Sequence, residues 1–445
     1  MEREQYSLAW EADWAVGKST VGVHHIESSN IGRSMPLTAA QRLQIAANKA
    51  NNIASPHFTG NWSTFALANA DPAFRALMPR ESRTLESTNT TYSAKYELPL
   101  NSHYIVVGTE FQDVSLKDGI YGMSQGKSGG KKEYYQYGVF AEDSWNIIDP
   151  LTLTFGARYD KHEDFGDNVS PRVYATYAIN DNWTVKGGVA TGYKTPKTTD
   201  LQEGVVGFGG QGTSPQFGNP DLKPEKSVSY EFGTAWQGDK SKTSLTVFHT
   251  QYKDKITEVR DCSSPNGSNS NSATWTCADP FGRIDSTTGN IRLWNFISSR
   301  INVDEAIMQG LEATFDTELA DGVNLSTNYT YTETEQKSGA LKGEPLNQMP
   351  KHMFNATVDF DINETLVVWT RLHYKSEKSA YLGRASMSEP TPAYQFLDVG
   401  FNYKFTPSLK GKFGVYNILD EKAEDADGEQ VLDGRRYGVS FSASF

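Results

Sequence analysis

Over the last nine residues of the chain, Tyr437, Val439, Phe441, Ala443 and Phe445 alternate with Gly438, Ser440, Ser442 and Ser444. A period of two puts alternate residues on opposite faces of a strand. The stretch therefore has one large apolar face and one face of small or polar groups. Such a strand can form a wall between lipid and a wet interior. It can equally close a soluble sandwich, so the rest of the chain has to decide between them.

Size and composition favour the wall. At 445 residues the chain is longer than a single soluble core usually grows, yet only 37% of it is hydrophobic. No run approaches the roughly 18 uninterrupted apolar residues of a membrane helix. An alternating barrel is the membrane architecture that can hide in so polar a sequence. Aromatic residues make up 12% of the chain, with 22 Tyr, 22 Phe and 9 Trp, which suits interfacial girdles. A net charge of −12 argues against a general nucleic-acid binder, because phosphate contacts need a basic surface.

The alternation recurs along the chain. Leu151, Leu153, Phe155, Ala157 and Tyr159 share one face, as do Val323, Leu325, Thr327, Tyr329 and Tyr331. Strands are expected at 3–13, 18–27, 83–98, 103–114, 134–148, 151–162, 168–179, 182–193, 224–237 and 241–256. Seven more are expected at 294–318, 322–333, 349–362, 364–375, 392–404, 408–417 and 434–445. Every second connection is a tight turn with turn-forming residues, such as Asn180-Asp181-Asn182, Gly238-Asp239, Asp321-Gly322, Asn363-Glu364 and Pro407-Ser408. The intervening connections read as long, near 28–82, 115–133, 194–223, 257–293, 336–348, 376–391 and 418–433. Short turns at one end and long loops at the other are the pattern of outer-membrane barrels. Seventeen strands is an odd number, whereas bacterial single-chain barrels use even ones, and 22 strands make the plugged transporters. The expectation is an all-β, transmembrane antiparallel barrel with about 17 of 22 strands, its plug domain absent and no separate second domain in 1–445. Residues 1–10 hold no basic segment followed by an apolar one. The chain is therefore expected to start after processing or to be a fragment, and the strand count favours a fragment.

Four segments carry a resemblance. Ser170–Val185 with Gly192-Tyr-Lys-Thr-Pro196 resembles the hairpin and "G-[FY]-[KR]-x-P" stretch of TonB-dependent outer-membrane receptors. Asn219-Pro-Asp-Leu-Lys-Pro-Glu225, running on to Gly233, is similar to that family's "NPxLKPE…E-x-G" segment, the most specific of the four. Ile301–Glu312 resembles its "N-V-x-x-A-x-x-x-G-x-E" strand, and Val415–Glu421 its penultimate "N-[LI]-x-D-[KE]" strand. Within the family, the chain looks most like the catecholate-siderophore and colicin-receptor branch. The resemblance implies a receptor in the outer membrane of a Gram-negative bacterium. It would import an Fe(III)-siderophore complex, energised by TonB through a plug that this chain lacks. Haem or another metal chelate is an alternative ligand, and a surface receptor for bacteriocin or phage an alternative role. Lipid and lipopolysaccharide would be its surroundings, and no resident cofactor is implied.

Candidate binding residues follow from charge. Ferric catecholates are anionic, so their receptor needs cations and aromatic rings at its mouth. Residues 28–83 carry Arg33, Arg42, Lys49, Arg75, Arg80 and Arg83 against Asp71 and Glu81. Residues 115–135 carry Lys117, Lys127, Lys131 and Lys132 against Asp118 and Glu133, with Tyr121, Tyr134 and Tyr135 interleaved. An acidic chain that gathers positive charge in two exterior loops can focus an anionic ligand. The same groups could instead meet lipopolysaccharide phosphates or water. Leu43, Ala46 and Ala50 have helical spacing, so a short helix is expected within Leu37–Ala50.

Cys262 and Cys277 sit fifteen apart in a Ser/Asn/Gly-rich loop and read as a disulfide in an oxidising compartment, with two free thiols the alternative. Asp425-Ala-Asp427-Gly428 has the look of a calcium loop but lacks its distal Glu, so a turn-rich exterior loop explains it better. His24 and His25 are adjacent on a strand and must point to opposite faces, which precludes a shared metal. No catalytic motif is present, and no enzyme is expected.

Overall fold

In the computed structural model, the described residues are 2–30, 82–122, 129–209, 214–261, 277–278, 293–294, 297–339, 341–346, 349–379, 390–422 and 434–444. The first eight strands are β1 (Glu2–Asp13), β2 (Lys18–Ser29), β3 (Leu85–Leu100), β4 (His103–Asp118), β5 (Gly130–Ile148), β6 (Leu151–His162), β7 (Gly166–Ala178) and β8 (Trp183–Lys194). A 3-10 turn at Thr198–Leu201 leads to β9 (Gly204–Gly209), β10 (Ser214–Gly218), β11 (Glu225–Gln237) and β12 (Ser241–Asp261). Then come β13 (Cys277–Ala278), β14 (Leu293–Trp294), β15 (Ile297–Ala320), β16 (Val323–Gln336) and β17 (His352–Asn363). The last are β18 (Leu366–Lys375), β19 (Tyr394–Thr406), β20 (Leu409–Tyr416) and β21 (Arg436–Ala443).

Setting aside the short β9, β10, β13 and β14, the long strands form one antiparallel meander in chain order, β1 through β8, then β11, β12 and β15 through β21. These are the seventeen strands expected from the sequence. Among the described residues β1 pairs only with β2, and β21 only with β20. Among the described residues the sheet is therefore open at both edges.

Register explains why the alternation is so regular. Leu8, Val23, Tyr92, Phe111 and Tyr137 lie opposite one another across β1 to β5. Val173, Val189 and Tyr230 continue the same face, as do Phe232, Val247, Leu311 and Tyr331. Val368, Phe401, Phe413 and Val439 complete it. A slip of one residue anywhere would turn a polar row toward lipid, so burial in the membrane fixes the register. On the opposite face Gln136 donates to Gln112 at 2.7 Å, and Gln112 to Asn89 at 3.1 Å. Arg158 pairs there with Asp160 at 2.7 Å and Glu110 at 3.6 Å, and Arg172 pairs with Glu142. One face is apolar and the other wet, as a barrel wall requires.

The tight turns are built by side chains the sequence singles out. Asn180 Oδ1 accepts from the Asn182 and Trp183 amides at 3.0 and 2.9 Å. Asn363 Oδ1 does the same for Thr365 and Leu366 at 2.9 and 3.0 Å. Gly322 turns at φ +72°, where a side chain would be strained.

Four expectations need correction. Strands β4 and β5 run on to Asp118 and start at Gly130, so much of the segment 115–135 is hairpin rather than loop. The connection between β6 and β7 is only three residues, although it lies at the long-loop end. Asn417–Glu421 is a turn, not strand: Asn417 sits at φ +53°, its amide takes the Asp398 carboxylate at 2.8 Å, and its side chain holds both backbone groups of Glu421. The β8–β11 connection also contains structure of its own, the 3-10 turn and the β9–β10 hairpin. The Leu37–Ala50 helix and the Asp425–Gly428 loop lie outside the described residues.

Candidate ligand vestibule and its polar latch

At the long-loop end two strands rise well past their neighbours. β15 has 24 residues and β12 has 21, and they stay paired up to Asp261 opposite Ile297. At about 3.3 Å per residue such strands are roughly 70–80 Å long, far more than a tilted strand of 9–11 residues needs to cross a bilayer. The β9–β10 hairpin, arriving from β8, adds β10 in parallel to the tip of β15, with Gln216 opposite Ser298. It thus occupies the edge of β15 away from β12. The 195–224 segment is a strap tied to this tall wall.

The ties come from three of the recognised motifs. Asn302 Oδ1 accepts from the Lys223 amide at 2.8 Å, while its Nδ2 donates to the carbonyls of Lys223 at 2.9 Å and Asp254 at 2.6 Å. Asp254 adopts φ +55°, a conformation a short polar residue tolerates. Asn219 Nδ2 donates to the Arg300 carbonyl at 3.0 Å, and its amide to the Asp200 carbonyl at 2.6 Å. The Asp200 carboxylate holds Arg300 at 3.1 Å. Glu225 accepts from Lys194 at 2.8 Å and from the Ile256 amide at 2.7 Å, with Lys255 at 3.7 Å. Glu225 is buried, so these partners are what make its charge tolerable. None of Asp200, Asn219, Glu225, Arg300 or Asn302 was singled out by charge counting. For Asn219, Glu225 and Asn302 the motif spelling was the available signal; Asp200 and Arg300 lie outside the motifs.

The expected binding residues divide. Arg33, Arg75, Arg80 and Lys127 lie outside the described residues. Lys117 and Lys131 are directly opposite each other on the outward-facing parity of β4 and β5, paired with Glu86 at 3.4 Å and with Glu133 respectively. Lys132 and Tyr134 take the inward parity. Lys132 pairs with Asp164 at 2.9 Å, and Tyr134 stacks on the buried His162 at 4.6 Å between ring centroids. Arg83 reaches across to Asp118, its Nε donating at 2.7 Å, with Asp118 buried and Arg83 largely so. Ile120 and Tyr121, two and three residues further on, are buried as well. Burial, then the Asp118 carboxylate, pushes the Tyr121 hydroxyl up; Arg83 opposes this, and Asp200 adds to the upward push. That hydroxyl has no hydrogen-bond partner among the described residues.

His24 bonds Ser7 at 2.6 Å and His25 bonds Thr90 at 2.8 Å, on opposite faces of β2. Cys277 is fully buried and disulfide-bonded, and Cys262 lies outside the described residues. No group of three or more metal-ligating side chains occurs among the described residues.

The family model described as "TonB dependent receptor-like, beta-barrel" matches residues 5–418. The chain is 33% identical over 400 residues to an iron-regulated outer membrane virulence protein of Vibrio cholerae, covering 89% of this chain and 57% of that protein. It is 28% identical over 487 residues to a probable TonB-dependent siderophore receptor, PirA, of Acinetobacter baumannii, covering all of this chain and 59% of that one. The chain thus spans little more than half the length of these curated relatives. Among solved structures, a ferric enterobactin receptor (PfeA) mutant of Pseudomonas aeruginosa superposes with a TM-score of 0.71 at 21% identity, over the whole chain and 61% of its own. That likeness is one of fold. With its seventeen-strand meander, its lipid-facing apolar rows and a family match over most of its length, the chain belongs to the TonB-dependent receptor β-barrel family of the Gram-negative outer membrane.

Proposed function

We propose that residues 1–445 form the C-terminal part of the barrel of a receptor that imports Fe(III)-siderophore complexes, driven by TonB through a plug, and that it works as a receptor rather than an enzyme. The observation that carries this reading is the vestibule. A wall taller than the bilayer, with a strap tied to it, stands at the long-loop end, where Arg83, Tyr121, Lys132, Tyr134 and Arg300 also lie. Relatives with names such as ferric enterobactin receptor add to it.

A ferric catecholate carries negative charge on a scaffold of aromatic rings. Guanidinium and ammonium groups complement the charge, and tyrosine faces can stack on the rings. Lys117 and Lys131 face outward, so their part is to raise the local potential and steer encounter; Arg33, Arg75, Arg80 and Lys127 would add to the same field. Lys132 and Tyr134 are the contact set, and the Arg83–Asp118 pair with the buried Tyr121 holds the turn beside them. Screening over about 8 Å at physiological salt confines the outward charges to steering.

Titration of the complete receptor, followed by tryptophan quenching, tests the reading. Ferric enterobactin should bind, whereas a ferric hydroxamate siderophore and haem should not. Equal binding of all three, or preference for haem, overturns it.

A further inference from the structure

We propose that His162 is a positioning residue for ligand capture: its neutral imidazole holds the Tyr134 ring in place, and a proton on the imidazole releases it. The inference rests on the siderophore reading for the identity of the ligand.

The β6–β7 connection, Glu163-Asp164-Phe165, is the short one at the long-loop end, and it is tied to β5. Glu163 brackets Tyr135. Its amide donates to the Tyr135 carbonyl at 3.1 Å, and the Tyr135 amide donates to Glu163 Oε2 at 3.2 Å. The Asp164 carboxylate takes Lys132 at 2.9 Å. The Asp164 amide turns back and donates to His162 Nδ1 at 3.0 Å. A ring nitrogen that accepts a hydrogen bond carries no proton, so this imidazole is neutral, with its proton on Nε2.

Tyr134 rests on that ring. The two stack at 4.6 Å between centroids with 26° between their planes, and Phe165 packs on the imidazole at 4.9 Å and 45°. Only 3% of His162 is exposed. A chain of fixation therefore runs from a backbone amide, through the imidazole, to a tyrosine on the inward parity of β5.

A tilted strand crosses the bilayer in 9–11 residues, and His162 is the twelfth of β6, above the bilayer. Burial, the largest influence, holds the imidazole below the ordinary histidine range; Asp164 raises it, Lys132 lowers it and Glu163 raises it. Directly opposite stand Gln136 on β5 and Gly166 on β7, neither of them charged. A proton on Nδ1 would set two donors 3.0 Å apart, so the Asp164 amide has to leave and the turn opens with it. An imidazolium also attracts an anion. Here it is buried against Tyr134 with two carboxylates in its field, so the opening of the turn outweighs that attraction. The fold favours the neutral ring, so capture is full above the ordinary histidine value of about 6.5 and weakens as pH falls through the lower midpoint.

Ferric enterobactin titrated against the complete receptor at about pH 7.5 and about pH 5.5, one unit either side of that value, tests this. Hydrogen exchange over 163–166 is measured at both pH values without ligand. The unaltered receptor should lose affinity by about tenfold at the lower pH, and the protection factors of 163–166 should fall with it. His162→Asn keeps an acceptor where Nδ1 stood and takes no proton, so its affinity should be the same at both pH values. Protonation of the ligand acts on both proteins alike, and the difference between them reports the imidazole. Equal pH dependence in the two proteins overturns the proposal. So does tighter binding at low pH in the unaltered receptor alone, which would make His162 a direct cationic contact. Unchanged protection over 163–166 overturns it without any variant, which keeps the test decisive if His162→Asn does not fold. Opening of the turn with no binding at either pH would instead overturn the siderophore reading and the role in capture, while the imidazole's hold on the turn would stand.

Discussion

Asn302 and Lys223 are joined as two strands would be: the Lys223 amide donates to Asn302 Oδ1 at 2.8 Å, and Asn302 Nδ2 donates back to the Lys223 carbonyl at 2.9 Å. A side-chain amide here satisfies both backbone groups of a loop residue where the ladder has ended. Asn417 treats Glu421 in the same way at 2.8 and 2.9 Å. Both asparagines belong to motifs that the sequence shares with its family.

The strap should therefore depend on Asn302. Asn302→Ala removes three hydrogen bonds and leaves the Lys223 and Asp254 carbonyls short of a donor, at a local cost of about 1–3 kcal/mol per group left unsatisfied. Hydrogen exchange over 195–224 should accelerate while the ladders of β16–β18 keep their protection. Unchanged exchange over the strap would show that the latch does not hold it.

Asp118→Asn should loosen the β4–β5 turn more than a surface change would. It leaves the Arg83 guanidinium buried with its ion partner gone, and the side chains are only 13% and 2% exposed. Breaking such a pair costs about 3–5 kcal/mol. Trypsin should then cut at Lys117 and Lys131 sooner than in the unaltered protein. The double variant Arg83→Gln with Asp118→Asn, which removes both charges, should regain most of the resistance.

Legibility followed the solvent. β6 was readable to the residue, because lipid on one side and water on the other force Leu151, Leu153, Phe155, Ala157 and Tyr159 onto one face. The tips of β4 and β5 stand above that boundary. With water on both sides nothing selects apolar residues at every second position, and Lys117 and Lys131 read as loop. The charge count put these lysines at the long-loop end but not on a face, since parity needs the strand limits. The latch is opaque for another reason: Asn219 and Asn302 reach their partners Arg300 and Lys223 only after the strap crosses to β15, and no local pattern encodes that crossing.

Faces separate the lysines in function. With ferric enterobactin and the complete receptor, Lys132→Glu should slow association and hasten dissociation, because it faces inward. Lys131→Glu should slow association by a few-fold at low salt and lose that effect as salt rises. Stopped-flow rates at two salt concentrations check both. Identical behaviour of the two variants would mean that the face assignment does not matter for capture.

We propose that Cys277 is bridged to Cys262. A loop of about 15 residues closed by a disulfide gains roughly 3 kcal/mol in the chain-entropy account. Peptide mapping without reductant should recover 262 and 277 as one linked species from protein made in an oxidising compartment. Recovery of alkylated, separate thiols would refute the pairing.

The open edges carry a prediction about the 445 residues alone. β1 and β21 each have one strand neighbour among the described residues, and unpaired backbone groups in lipid cost several kcal/mol each. The 445-residue chain expressed alone should not give a heat-modifiable, detergent-stable monomer. If it does, the edges are satisfied in a way that the meander does not include.

Uptake of radioactive iron from ferric enterobactin by iron-starved cells tests the central claim most directly. Deleting the gene for the complete receptor should abolish the uptake that depends on it, and restoring the gene should return it only where TonB is functional. Unchanged uptake in the deletion strain with other catecholate receptors removed, or rescue without TonB, would contradict the account.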